Sequence, residues 1–194
     1  MKHKIENQLS FSSILFDTLF CLVIYFNIDS FLDMKEPLQI VFYVASLILT
    51  VHRWMLLKSA ADIYDSEVNN STLNILFGIV RIVLVEHVAL LSKNFEYLDA
   101  TLILVALTVV DLIWDFIWRF VGKWSVKNYK KIRLMENELN NSILIDTFML
   151  ILFSGLALSY NYIPTVYYVA LFLLVLTFGI SLSYRFKIID LKFF

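Results

Sequence analysis

The sequence predicts an all-α polytopic integral membrane bundle, and three observations carry that prediction. The chain is 60% hydrophobic, against about 45–50% for a soluble domain. The excess is gathered into six apolar runs, each close to the roughly 20 residues that cross a bilayer as a helix. Lysine and arginine fall almost wholly on alternate connections between those runs, the asymmetry that orients membrane proteins.

The first run, 11–28, follows Lys2 and Lys4 as a signal peptide's apolar core follows its basic start. It carries Asp17, however, and no small-x-small cleavage site follows, so it reads as the first membrane helix. The second run, 38–57, begins after Pro37. The third, 74–91, is the most polar, and Asn70, Ser71 and Thr72 are suited to cap its start. The fourth is 99–120, the fifth 142–160 and the sixth 164–184. Only "NYIP" separates the last two, which predicts a tight helical hairpin. Pro37 and Pro164 both lie between runs, where they interrupt no helix. The whole chain, 1–194, reads as a single transmembrane domain.

Orientation follows from the basic residues. One side of the membrane receives Lys2 and Lys4, then Arg53 and Lys58, then Arg119, Lys123, Lys127, Lys130, Lys131 and Arg133, and finally Arg185, Lys187 and Lys192. The other side receives only Lys35 and Lys93. Six transmembrane helices with both termini cytoplasmic satisfy this count. The location expected is a membrane, multi-pass, and the inner membrane if the cell is bacterial.

Under that topology the ionisable residues inside the runs fall near one level. At about 1.5 Å per residue, Asp17, His52, Arg81, Asp115 and Asp146 each lie about 6–10 Å from the cytoplasmic end of their helices, and Asp111 about 15 Å. Glu86 and His87 form a deeper polar pair at about 18–20 Å. Charges at such depth cost several kcal/mol apiece, so they face partners or a wet cavity. Arg81 is the natural counter-ion for Asp17, Asp115 or Asp146. Asp111, Asp115 and Arg119 follow at i, i+4 and i+8 on one stripe of the fourth helix, with Trp114 and Trp118 beside it. "SILFDT" at 13–18 and "SILIDT" at 142–147 place Asp17 and Asp146 alike, each with a threonine next to it. Two readings stand. The layer is polar glue between helices, satisfied in pairs. Alternatively it lines a cation or proton path, because four aspartates set against one arginine require protonation or a compensating cation.

Other features bear on partners. Gly155 and Ser159, and Gly179 and Ser183, are small pairs spaced i, i+4, suited to close packing of the fifth helix on the sixth or to an oligomer contact. The basic 119–133 loop anchors topology, and it is a candidate for contact with anionic lipid or a cytoplasmic protein partner. Beyond it Tyr129, Ile132, Met135 and Leu139 recur at helical spacing, as in an amphipathic helix lying on the inner surface. Trp118 and Trp124 suit the interfacial belt. Nucleic acid is not expected at a net charge of -1. The acidic 58–73 connection has no metal-loop spacing, and the single cysteine, Cys21, forms no Cys/His cluster, so neither metal nor cofactor is expected. HExxH, Gly-rich phosphate loops and G-x-S-x-G are absent, so no catalytic residues are assigned and an enzyme is not expected. A membrane enzyme built on the Asp111/Asp115 pair is the weakest alternative.

The stretch "FDTLFCLVIYFNID" at 16–29 resembles the first helix of the six-helix potassium-channel family that carries a Phe-Ser-Asp motif. Asp17 and Phe20 match that family's Asp-x-x-Phe. His52 near the cytoplasmic end of the second helix and Asn74 opening the third also match. Phe16 precedes Asp17 directly, so the serine is missing. The likeness covers the first three helices. It implies a cation leak channel assembled from several six-helix units and gated by apolar side chains of the first helix.

The function expected is therefore an oligomeric cation channel, for K⁺ or H⁺, with an inner-leaflet charged layer, embedded in the lipid bilayer as a homo-oligomer. The alternative, of a different class, is a membrane-embedded accessory or regulatory subunit that docks a cytoplasmic partner through the basic loop.

Overall fold

The computed structural model describes residues 31–61, 72–125 and 129–185, together with Thr18, Cys21, Leu22 and Tyr25, all four helical. Within these ranges the side chains at 52–61, 72–75, 121–125, 129–135, 138 and 183–185 are not described. The first expected span, 11–28, thus lies mostly outside the described residues. The rest is helical and contains no strand among the described residues.

Five long helices follow: α1 (Pro37–Ala61), α2 (Thr72–Lys93), α3 (Tyr97–Ser125), α4 (Tyr129–Ser159) and α5 (Thr165–Arg185). α1 starts at its proline, whose fixed φ and missing N–H suit the first helical position. Two residues on, the Gln39 side chain accepts hydrogen bonds from the amides of Lys35 (2.9 Å) and Glu36 (3.0 Å). That is the back-reach of a capping box. Gln39 Nε2 also donates to the Lys93 carbonyl at 2.7 Å, so one buried side chain ties the start of α1 to the end of α2. α2 turns into α3 within three residues. Phe95 adopts φ 67°; its amide donates to Ser92 at 3.1 Å, and the Glu96 amide donates to Leu91 at 2.9 Å. These bonds satisfy the last carbonyls of α2, the usual task of a left-handed C-cap.

α3 and α4 are longer than the sequence pattern suggested. α3 continues through Arg119 and Lys123 to Ser125, and α4 begins at Tyr129. The segment expected as a basic loop over 119–133 is therefore helical on both sides, and only residues 126–128 fall outside the described residues. The amphipathic surface helix expected from Tyr129 to Leu139 is instead the first part of α4, continuous with the apolar run. No proline or glycine separates the two patterns before Gly155, so nothing breaks the ladder of backbone bonds. At 31 residues, α4 is about 46 Å long, well beyond the roughly 30 Å of a hydrocarbon core. α4 and α5 are joined by a 3₁₀ turn, Tyr160–Tyr162, after which Ile163 is extended (φ -118°, ψ 129°), as the residue before a proline is driven to be.

Each helix packs on its successor, and α5 packs back on α1, so the five close into a ring. One half of the interior, toward one end of the ring, is rich in aromatic rings. Phe42 stacks on Phe172 at 4.5 Å and on Tyr97 at 5.6 Å, and Phe153 lies 5.9 Å from Phe172. Phe42, Phe153, Phe172 and Tyr168 are fully buried. Tyr168 shares a hydrogen bond with Thr101 and meets Tyr160 edge-on at 5.0 Å. The outer surface is apolar too: Leu158, Val166 and Leu174 are strongly exposed. Tyr97–Phe120, Leu139–Tyr162 and Thr165–Leu182 are each long and apolar enough to cross a membrane, and Pro37–Val51 is a shorter apolar helix. α2, with Arg81, Glu86 and Lys93, is not among the three.

Candidate functional site

Away from the aromatic half, the interior of the ring becomes polar. The change can be followed down α4, where Leu156, Phe153, Met149 and Asp146 succeed one another on the buried side. On α3 the same passage runs through Leu104, Leu107 and Thr108 to Asp111 and Asp115, all buried.

Arg81 of α2 reaches inward at this level. Its Nε donates to Asp111 Oδ1 at 3.0 Å and lies 3.3 Å from Oδ2. Its Nη2 donates to the Leu49 carbonyl of α1 at 3.1 Å. The pair is secluded, with 9% and 8% of the two side chains exposed. Ionised groups out of water hold together only when their hydrogen-bonding capacity is met, and the Leu49 carbonyl supplies part of that. Phe77 stacks on the buried Trp114 at 5.6 Å beside the pair, closing α2 onto α3.

Next to this pair lies a cavity of about 40 Å³. Every helix of the ring contributes to its wall: Ile48 and Leu49 of α1, Arg81 of α2, Leu107, Thr108 and Asp111 of α3, Ile145, Asp146 and Met149 of α4, and Leu176, Gly179 and Ile180 of α5. A space of that size holds about two or three waters, and it offers them the polar partners that buried water needs. Thr108 spends its hydroxyl proton on the Val105 carbonyl at 2.8 Å, which leaves its oxygen able to accept. Two carboxylates, one guanidinium and one hydroxyl thus surround a small space with apolar walls, an arrangement able to bind a proton, water or a small cation. Among the described residues, no group of three or more His, Cys, Asp and Glu is placed to hold a metal ion.

Three of the residues singled out in the sequence, Arg81, Asp111 and Asp146, therefore meet at one cavity. The partner of Arg81 is a correction. Depth favoured Asp17, Asp115 or Asp146, whereas Asp111, about one helical turn deeper, takes the arginine because the long side chain spans that offset. Asp115 is buried one turn further along α3 and does not line the cavity. The structure also separates Glu86 from His87. Glu86 is half-buried, whereas His87 is exposed, its Nδ1 3.1 Å from the Val83 carbonyl. Arg119 is half-buried on α3. Asp17 and Lys127 lie outside the described residues, as do the side chains of His52, Lys123, Lys130, Lys131 and Arg133. The residues carrying the potassium-channel likeness, Asp17, Phe20, His52 and Asn74, fall in the same undescribed set.

Of the small pairs, Gly179 faces Met149 across the α4–α5 contact, but a side-chain carbon at Gly155 would meet nothing within 4 Å. Gly155 is exposed and takes no part in packing α4 on α5. Nothing in the apolar pattern points to Leu49, Met149 or Thr108 at the site. Leu49 acts through its backbone, and the other two are ordinary interior residues until helix rotation is known. No family model, no curated protein and no solved structure matches the chain.

Proposed function

We propose that the chain is a six-span membrane protein with both termini cytoplasmic, and that it handles a monovalent cation, H⁺ or K⁺, at the Arg81–Asp111–Asp146 cavity as part of an oligomeric transport protein. The observation carrying this reading is the cavity itself: two carboxylates beside one guanidinium in a space large enough for a few waters. Intramembrane ionisable groups that line a wet cavity mark ion and proton pathways. The distribution of lysine and arginine supports an inner-leaflet position for the cavity. The likeness of the first three helices to a potassium-channel family supports K⁺ as the ion to test beside H⁺.

A second reading, a membrane-embedded accessory subunit with a cytoplasmic partner, is favoured by the other half of the ring. Phe42, Phe153 and Phe172 are fully buried in the aromatic half, and such packing blocks a route through one chain. On the transport reading the ion leaves the cavity between subunits or after rearrangement of these rings.

Flux through purified protein in liposomes separates the two, with K⁺ and H⁺ gradients applied in turn to wild type, Asp111→Asn and Asp146→Asn. Transport predicts flux in the wild type that either substitution changes severalfold without loss of helix content. A folded wild type without flux would sink the transport reading. In that case a protein that co-purifies, and is lost on neutralising Lys123, Lys130 and Lys131, supports the accessory role.

A further inference from the structure

The outward face of α2 carries a pattern that the cavity does not use. Leu76, Val80, Val83, His87 and Leu90 are all exposed. Their spacings of four, three, four and three residues make a heptad seam, with Leu76, Val83 and Leu90 at one repeating position and Val80 and His87 at the other. The buried side of the helix, Arg81, Val85, Val88 and Ser92, is engaged with the ring. The seam is free of it.

His87 breaks the apolar run in the middle. On a lipid-facing helix an imidazole is costly, and such groups are found facing protein rather than hydrocarbon. Its Nδ1 donates to the Val83 carbonyl one turn back, since a carbonyl only accepts, so Nε2 is left for a group outside the helix. Glu86, half-buried, flanks the seam at the adjacent position, where coiled coils place the charges that select a partner. One helix thus carries an imidazole in its seam and a carboxylate beside it. Copies of one chain inserted in the same sense bring their α2 helices together in parallel, so a two-fold axis along the membrane normal sets like residues against like.

We infer that α2 is a subunit interface, at which a second copy of this chain lays its own α2 in parallel along the Leu76–Leu90 seam and Glu86 of each copy meets His87 of the other. A single polar residue in an apolar seam fixes register, and a hydrogen bond across helices in lipid adds affinity. The inference rests on α2 being one of the six proposed spans.

Oxidative cross-linking in membranes tests it, with Cys21→Ser as the background and single cysteines introduced as Val83→Cys or Leu90→Cys in the seam, or as Leu102→Cys on the exposed face of α3. Disulfide-linked dimers are expected from the two seam positions and not from Leu102. In detergent, His87→Leu is expected to raise the dimer dissociation constant about three- to thirtyfold, and His87→Gln less. Absence of a Val83→Cys dimer, or equal cross-linking through Leu102→Cys, overturns the interface. Labelling of Val83→Cys by a membrane-impermeant maleimide separates the two claims. If it labels, α2 lies in water, and the span reading fails together with the interface. If it stays unlabelled and uncross-linked, only the interface fails.

Discussion

Gly179 of α5 lies where any side chain would run into the thioether of Met149 on α4: a carbon added there would also come within 2.9 Å of Met149 Cε. Both residues line the polar cavity. The absence of a side chain at 179 is therefore what leaves room for the Met149 thioether beside the cavity. Gly179→Ala should displace the flexible methionine end toward the cavity, an overpacking cost that offsets the roughly 0.5–1 kcal/mol that alanine gains over glycine in a helix. Gly179→Leu should be clearly destabilising, and Gly155→Ala, in open space within α4, should stabilise by about 0.5–1 kcal/mol. Thermal unfolding in one detergent would rank the three. Equal effects at 155 and 179 would rule out this packing.

The Arg81–Asp111 bond should show strong energetic coupling. Removing either partner leaves the other charge in the interior, a loss of about 3–5 kcal/mol. Replacing both by apolar residues of similar volume, Arg81→Met with Asp111→Leu, should recover much of that. A double-mutant cycle on unfolding free energy checks this, and additive single effects would mean the two side chains do not act as a pair.

Phe95 occupies a left-handed backbone conformation that costs a residue with a Cβ roughly 1 kcal/mol. Phe95→Gly should therefore stabilise the α2–α3 turn, less whatever the edge contact with Tyr97 at 6.3 Å provides. Phe95→Val, β-branched and less tolerant of that conformation, should destabilise it. Opposite signs in chemical denaturation are the expected result.

At the same end of the bundle, Lys93 Nζ donates to Asp33 Oδ2 at 2.8 Å. That hydrogen bond, with the lysine's charge, holds the Asp33 carboxyl below its ordinary value of 3.8. A lowered folded-state pKa contributes stability that is present above the unfolded value and is lost as pH falls through the folded one. The acid limb of a stability–pH curve should therefore soften in Lys93→Met only below about pH 4. The Asp33 titration, followed by NMR, should move up in that variant. An unchanged titration would remove the contact from the solution structure. Asp33 is exposed, so screening by solvent and salt keeps the effect small.

How much of this the sequence carried differs from element to element. Apolar runs over 38–57, 74–91, 99–120, 142–160 and 164–184 locate helices that extend beyond them by one to thirteen residues at most ends and stop one residue short at 160 and 164, because a helix does not stop where hydrophobicity does. The largest extension, at the start of α4, passes through Lys130, Lys131 and Arg133, all compatible with a helix. The α2–α3 turn was hidden, since a phenylalanine stands where glycine would announce a left-handed cap. At the site, the expense of buried charge in an apolar run singled out Arg81, Asp111 and Asp146 together with several others. Depth along a helix can be counted from the sequence, but rotation about its axis is fixed only by packing. That is why Asp111 rather than Asp115 met the arginine, and why His87 is exposed while Glu86 is half-buried.

The ring has a kinetic meaning as well. Each helix packs on the one made just before it, so most contacts of the bundle are short-range and able to form during synthesis. The seam that closes the ring lies between α1 and α5, where Phe42 meets Phe172 across most of the described chain. That contact has no partner until the last helix arrives. Earlier helices would pair in turn as an open arc, and the meeting of these two rings would latch it, sealing Arg81 and Asp111 away from their surroundings at the final step.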